Sequence, residues 1–346
     1  MTALRTPLRV IVVEDASAQR ANLVQALRAD GDITVVANFD TVEDVVPFVE
    51  TSRPDAIVLD LHLANSSSRG AIEQIMARTP TPILVLSGRI HDRHSPTAVD
   101  ALIAGALEAL PRPEQWTADL GAQLRRTVHQ ISKVVVIRHP RGGLAGAARR
   151  RPTPNLLRRP VVAVAASTGG PSALAGLLAG LGGLPAPVLV VQHLHPEFTA
   201  GLVEWMARAS GLPVELAEHG ATIHPGHVYV APGERHLRLG ANFRIELAVE
   251  PVTIHRPSAD QLFQSVAEQA GAGAIGVVLT GMGDDGAQGL LAIHRAGGRT
   301  LGQDEASCAV FGMPKAAKRL GAVSDLLPLN ALPAAIRHAV REVGDE

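Results

Sequence analysis

The 346-residue chain has a single cysteine, Cys308, so no disulfide can form within it, and that fits a reducing cytoplasm. Aromatic residues make up only 3% of the sequence, so its cores must be built from valine, leucine, isoleucine and alanine. Neither sign of charge dominates. A formal net charge of −1 gives no electrostatic case for nucleic acid or for an anionic membrane surface. The opening MTALRTPLRVIVVEDAS has no long apolar core ahead of its acidic pair and is not read as a signal peptide. One uncharged stretch, Gly169 to His193, is broken by Gly180, Gly182, Gly183, Pro185 and Pro187. It predicts a helix, a turn and a buried strand, and no membrane insertion.

What the chain does have is apolar content, 46%, and a length that calls for two domains. Leu8 to Val13 reads as a buried strand ending in Glu14-Asp15, followed by helical sequence to about Ala29 and a short strand near Thr34 to Ala37. Ala56 to Leu59 is another buried strand, ended by Asp60, and Ile83 to Leu86 is a fourth, ended by Ser87-Gly88. Strands alternating with helices predict a parallel α/β sheet, whose ligands bind beyond the strand carboxyl ends. Glu14, Asp15 and Asp60 stand at such ends. Three converging carboxylates would repel one another unless a hard cation such as Mg2+ joined them. Strand-end acids that simply face water or cap helices are the plain alternative.

Residues 131–159 read as a linker. Lys133 to Ile137 is a short strand or a helix continuation, and the rest is rich in Gly, Pro, Ala and Arg without apolar periodicity. The second domain, 160–346, opens on Val161 to Ala165, a buried strand that stops at Ser167-Thr168-Gly169-Gly170 before Pro171 starts a helix. A hydroxyl at such a turn stands beside free N–H groups at a helix N-terminus, the placement a serine nucleophile needs. A phosphate-cradling turn or a plain loop would use the same residues. Pro187 to Val191 predicts a second strand with His193 at its end, and Ala274 to Leu279 another that runs into Asp284-Asp285. His227 to Ala231 is strand-like, and Leu237 to Leu239 with Arg244 to Leu247 form a hairpin. Three strand ends thus present a serine, a histidine and an aspartate, the parts of a nucleophile, its base and the acid that orients the base. Fourteen histidines allow a competing reading, in which His193, His195, His224 and His227 hold a metal.

The first domain resembles the receiver domains of two-component response regulators, over residues 1–115. The resemblance implies Asp60 as phosphoacceptor, Glu14 and Asp15 with Asp60 as ligands of Mg2+, Ser87 as the switch hydroxyl and a histidine kinase as phosphodonor. It has departures. Arg112 stands where receivers carry lysine, Ala109 where they carry an aromatic, and the loop from Leu61 to Gly70 is longer. A pseudo-receiver used only for docking is the alternative.

The second domain resembles the protein-glutamate methylesterases of bacterial chemotaxis. The motifs are Ala166-Ser167-Thr168-Gly169-Gly170-Pro171, Val191-Gln192-His193, Val230-Ala231-Pro232-Gly233, His255-Arg256-Pro257-Ser258, Leu279-Thr280-Gly281-Met282-Gly283-Asp284-Asp285-Gly286 and Phe311-Gly312-Met313-Pro314. By that resemblance Ser167 is the nucleophile, His193 the base, Asp285 the orienting acid, and Thr168 and Met282 lie on the oxyanion side. The implied reaction is hydrolysis of glutamyl γ-methyl esters, with deamidation of certain glutamines, on the cytoplasmic helices of methyl-accepting receptors. It implies no cofactor for the esterase, a shallow groove for the substrate, and gating by the receiver. A non-catalytic adaptor is the competing function. The expected architecture is α/β, two doubly wound parallel-sheet domains: a flavodoxin-like receiver and a larger Rossmann-like esterase domain with a β-hairpin.

Overall fold

A computed structural model describes residues 7–63, 68–88, 96–134 and 159–345. The chain divides into two compact units, Met1–Pro140 and Arg141–Glu346. Most of the linker reading, and the end of the segment from Lys133 to Ile137, fall outside the described residues, as does the middle of the loop after Asp60. Within the described part, α-helix ends at Ile131 and residues 132–133 turn away from it.

The first unit runs β1 (Leu8–Val13), α1 (Ser17–Arg28), β2 (Ile33–Phe39), α2 (Val45–Ser52), β3 (Ala56–Asp60), α3 (Ser68–Arg78), β4 (Ile83–Ser87), α4 (Pro96–Ala104), β5 (Glu108–Pro111) and α5 (Ala118–Ile131). Its five strands are parallel, in the order β2-β1-β3-β4-β5. Val10 to Val13, Ile57, Val58 and Leu84 to Leu86 are wholly buried, as expected of parallel strands covered on both faces. Chain direction across the sheet reverses between β1 and β3. That reversal opens the crevice where such sheets bind ligands, and Glu14 and Asp60 end those two strands.

The second unit runs β6 (Val161–Ala166), α6 (Gly170–Ala179), β7 (Val188–Gln192), α7 (Pro196–Ser210), β8 (Val214–Leu216), β9 (Val228–Val230), β10 (His236–Gly240), β11 (Arg244–Ala248), α8 (Ala259–Ala270), β12 (Ala274–Val278), α9 (Ala287–Arg295), β13 (Arg299–Gln303), α10 (Met313–Arg319), β14 (Asp325–Leu327) and α11 (Leu332–Asp345). Seven parallel strands form a sheet in the order β14-β13-β12-β6-β7-β9-β8. Both units are therefore α/β with parallel sheets, as the strand-helix alternation predicts. β10 and β11 pair as an antiparallel hairpin, turning through Asn242 and Phe243, both at positive φ. The hairpin buries Leu237, Leu239 and Ile245 in one cluster with Leu262, Phe263 and Val266 of α8, each side chain contributing about 1.5–3 kcal/mol. The uncharged stretch from Gly169 to His193 becomes α6, a turn and β7. Among the described residues no helix is long and apolar enough to cross a membrane.

Candidate active site

The switch point of the second sheet lies between β6 and β12, and the site is built on the carboxyl ends of β12, β6 and β7, three neighbours in the sheet. Ala166 pairs with Gln192, and His193 N donates to Ala166 O at 2.9 Å, so Ser167 and His193 leave adjacent strands side by side, about 4.8 Å apart in strand spacing. On the other flank Ser167 N donates to Thr280 O at 3.0 Å. Gly281 lets this approach happen: a Cβ there would lie 2.7 Å from the Ser167 Cβ. The turn into α6 is closed by Gly170 N donating to Ser167 O at 2.7 Å and by Gly169 at φ 76°, where a side chain would strike Ala309. Gln192, buried, donates from Nε2 to Ser167 O at 2.9 Å and to His193 O at 2.8 Å, tying the two strand ends together. The Val191-Gln192-His193 motif includes it, but residue type and position alone give it no role.

The carboxylate of Asp285 reaches His193 across this rim: His193 Nε2 donates to Asp285 Oδ2 at 2.8 Å. Asp284, its neighbour, is exposed. Asp285 also accepts from Ser258 Oγ at 2.8 Å, Ala259 N at 2.7 Å and Asp260 N at 3.1 Å, so it sits on the N-terminus of α8. Burial alone would raise its pKa, but the His193 hydrogen bond and charge and the Ala259 and Asp260 amides outweigh it and bring it down to about 2. An ionised carboxylate only accepts, so Nε2 carries a proton, and the neutral tautomer that this fixes has its lone pair on Nδ1. That Nδ1 is buried and has no hydrogen-bond partner. The ring therefore offers a base atom with nothing else to do.

Two further residues were not assigned roles by the sequence. His255 stacks flat on His193, ring centroids 4.2 Å apart and planes 8° from parallel. Burial, followed by the nearness of His193, pushes its pKa below the ordinary value, so the stacked ring is neutral. Ser258, buried, holds Asp285 from the N-cap position of α8. Both lie in a stretch whose spacing carries no chemical pattern of its own. Thr168 is buried, its carbonyl accepting from Thr280 Oγ1 at 2.9 Å, and Met282 is half-buried in the loop that follows β12. Cys308 is buried and its thiol is pushed up to about 12, burial being the main cause, so it stays protonated. Among the described residues no group of three or more His, Cys, Asp or Glu side chains is placed to hold a metal. His224 lies edge-on to His227, and His227 pairs with Glu215 at 3.1 Å, away from His193.

In the first unit Glu14 and Asp60 come together at the ends of β1 and β3, joined by Arg112. Arg112 Nη1 donates to Glu14 Oε2 at 3.1 Å and to Asp60 Oδ2 at 2.5 Å. The remaining oxygens accept from Ala16 N at 3.1 Å and His62 N at 2.7 Å. Burial, then the Asp60 charge, raises Glu14 to about 7. Among the described residues Asp15, half-buried, joins Glu14 and Asp60 in no three-acid cluster, so these residues as arranged do not fit the Mg2+ site expected of them. The guanidinium stands where the cation was expected. Ser87 is buried at the end of β4, its carbonyl accepting from Arg112 N at 2.8 Å.

Residues 162–336 match the model of the CheB methylesterase family, and residues 10–120 that of the response regulator receiver domain. A protein-glutamate methylesterase/protein-glutamine glutaminase of Anaeromyxobacter dehalogenans is 42% identical, the alignment covering 94% of this chain and 97% of the relative. The chain belongs to the CheB methylesterase family. A Pseudomonas aeruginosa protein of the same description is 36% identical over 95% of this chain and 96% of its own. The crystal structure of the Thermotoga maritima CheB methylesterase catalytic domain is 36% identical, with a TM-score of 0.51, covering 52% of this chain and 98% of that one. The chain is thus an enzyme of the methylesterase class joined to a response-regulator receiver.

Proposed function

We propose that this enzyme hydrolyses γ-methyl esters of glutamyl residues on cytoplasmic helices of chemoreceptors, using Ser167, His193 and Asp285. The observation that carries the reading is the His193 ring, held by Asp285 at 2.8 Å with its Nδ1 unpartnered beside the strand end that bears Ser167. Ser167 Oγ attacks the ester carbonyl while His193 Nδ1 takes the hydroxyl proton. The oxyanion is received by the backbone N–H groups of Thr168 and Met282. Collapse expels the methoxy group, which takes the proton from His193 and leaves as methanol. Water, deprotonated by the same nitrogen, then cleaves the acyl-enzyme and restores Ser167 and a free glutamate. With a glutamine substrate the same steps release ammonia. This one sequence of steps would account for both activities in the relatives' description, methylesterase and glutaminase.

The receiver is proposed to gate this site in the cytoplasm, with Asp60 accepting a phosphoryl group from a histidine kinase and Arg112 and Ser87 meeting the new oxyanion. Methanol release from a methylated receptor peptide tests the esterase. Ser167→Ala and His193→Ala are each expected to lower kcat by at least about 10^4-fold with an unchanged circular dichroism spectrum. Undiminished turnover in Ser167→Ala would leave only an adaptor role or another nucleophile.

A further inference from the structure

A methyl ester removes the charge of the glutamate that carries it, so the enzyme must recognise its target by flanking residues. The residues flanking the triad show where. The segment joining β11 to α8, residues 249–258, crosses beside the base: its His255 is the ring stacked on His193. The same segment exposes three aliphatic side chains, Val249 at 51%, Val252 at 75% and Ile254 at 97%. Together with the turn after β9 it lines an open cavity of about 510 Å³, walled by Gly233, Glu234, Arg235, Val249, Thr253 and Arg256. The Arg256 Nε is buried and has no partner. Arg235 is exposed at the opposite rim, on the turn after β9 where Glu234 is held at φ 63°. Two arginines against one glutamate make the cavity net positive, and an unsatisfied guanidinium N–H is best matched by a carboxylate. The aliphatic side chains give an acidic ligand an apolar face to lie on.

We propose that this cavity and the 249–258 segment form a docking subsite for an acidic amphipathic helix, the stretch of receptor flanking the esterified glutamate. Arg235 and Arg256 take its carboxylates, and Val252 and Ile254 its apolar stripe. The inference rests on the methylesterase reading for the identity of the helix. Residues at i, i+3 and i+4 share a helix face, so a carboxylate one turn from the ester falls beside it on the same side. Binding energy gathered there positions the ester at Ser167.

The test uses the full chain and three substrates: a capped γ-methyl glutamate, a helical peptide with that ester flanked by glutamates, and the same peptide flanked by lysines. The quantity read is the ratio of kcat/KM for the acidic peptide to that for the small ester. Reversing the charge in Arg235→Glu/Arg256→Glu is expected to lower this ratio about 100-fold, near tenfold per arginine, and the lysine peptide should recover most of it. A misfolded variant cannot show that recovery. An unchanged ratio overturns the proposal. So does a parallel rise on all substrates, which would mean the receiver, not the substrate, lies on this surface. If the wild-type chain turns over none of the esters, it is the methylesterase reading that fails. Fluorescence anisotropy of the labelled peptides then still decides the subsite, which requires the acidic peptide to bind wild type tighter than the variant.

Discussion

Asp285 holds four donors, one from His193 and three from the start of α8. A carboxylate bound this way is useful twice, as the group that fixes the His193 tautomer and as the anion on a helix N-terminus. Its pKa in the folded protein, about 2, lies below the ordinary value of 3.8. The stabilisation this represents is therefore present above pH 4 and is lost as pH falls through 3.8 toward 2. At about 1.4 kcal/mol per unit it amounts to roughly 2 kcal/mol. Denaturant melts of wild type and Asp285→Asn should differ by about that much at pH 6, with the gap closing toward pH 2. A gap that does not depend on pH would mean that the carboxylate is not ionised where it sits. Residue type alone does not separate Asp284 from Asp285; the family resemblance picks Asp285, and the fold turns that one to His193 and the other to solvent.

Two helices show the same logic one level up. Asp285, just ahead of α9, caps α8, while Asp260 in the first turn of α8 accepts from Gly289 N of α9 at 2.7 Å. Each N-terminus is closed by the other's carboxylate, so the acid beside His193 is fixed by a helix pair and not by its own loop. The segment that enters α8 carries His255, whose flat stack holds the plane of the His193 ring. Its removal in His255→Ala should lower kcat on a small methyl ester about tenfold, with His255→Phe recovering most of the loss because an aromatic face is restored. Equal losses in both variants would assign His255 a hydrogen-bonding role instead. In the first unit the corresponding device is Arg112 between two buried carboxylates. Arg112→Ala leaves these facing each other unpaired and should destabilise that unit by about 3 kcal/mol, measured by urea melts, whereas Arg112→Lys should cost less. Most of the strands could be read because parallel strands are unbroken apolar runs bounded by turn residues, whereas their order in the sheets comes from the fold. β8, β13 and β14 could not, because VEL, RTLGQ and DLL each carry polar residues and form no apolar run. Nor could the contacts of His255, Ser258 or Gln192, which depend on backbone register between strands far apart in sequence.

At the scale of the whole chain, two parallel sheets each gather polar side chains around a reversal of strand order, Glu14 and Asp60 in one and Ser167, His193 and Asp285 in the other. Length, low aromatic content and the single cysteine are consistent with this, but it was the motifs at strand ends that carried the functional reading. The coupling between the two units is open to a direct assay. If Asp60 is the phosphoacceptor, acetyl phosphate should raise methanol release severalfold in wild type and leave Asp60→Ala unmoved. Equal rates in both would make the first unit a docking module. The esterase itself is tested most directly by acid-quenching the full chain during turnover of a glutamyl methyl ester and measuring its intact mass. One acyl group per chain, mapped to the peptide containing Ser167 and absent from Ser167→Ala, is the expected result. An acyl group on another side chain, or hydrolysis that continues undiminished in Ser167→Ala, would contradict it.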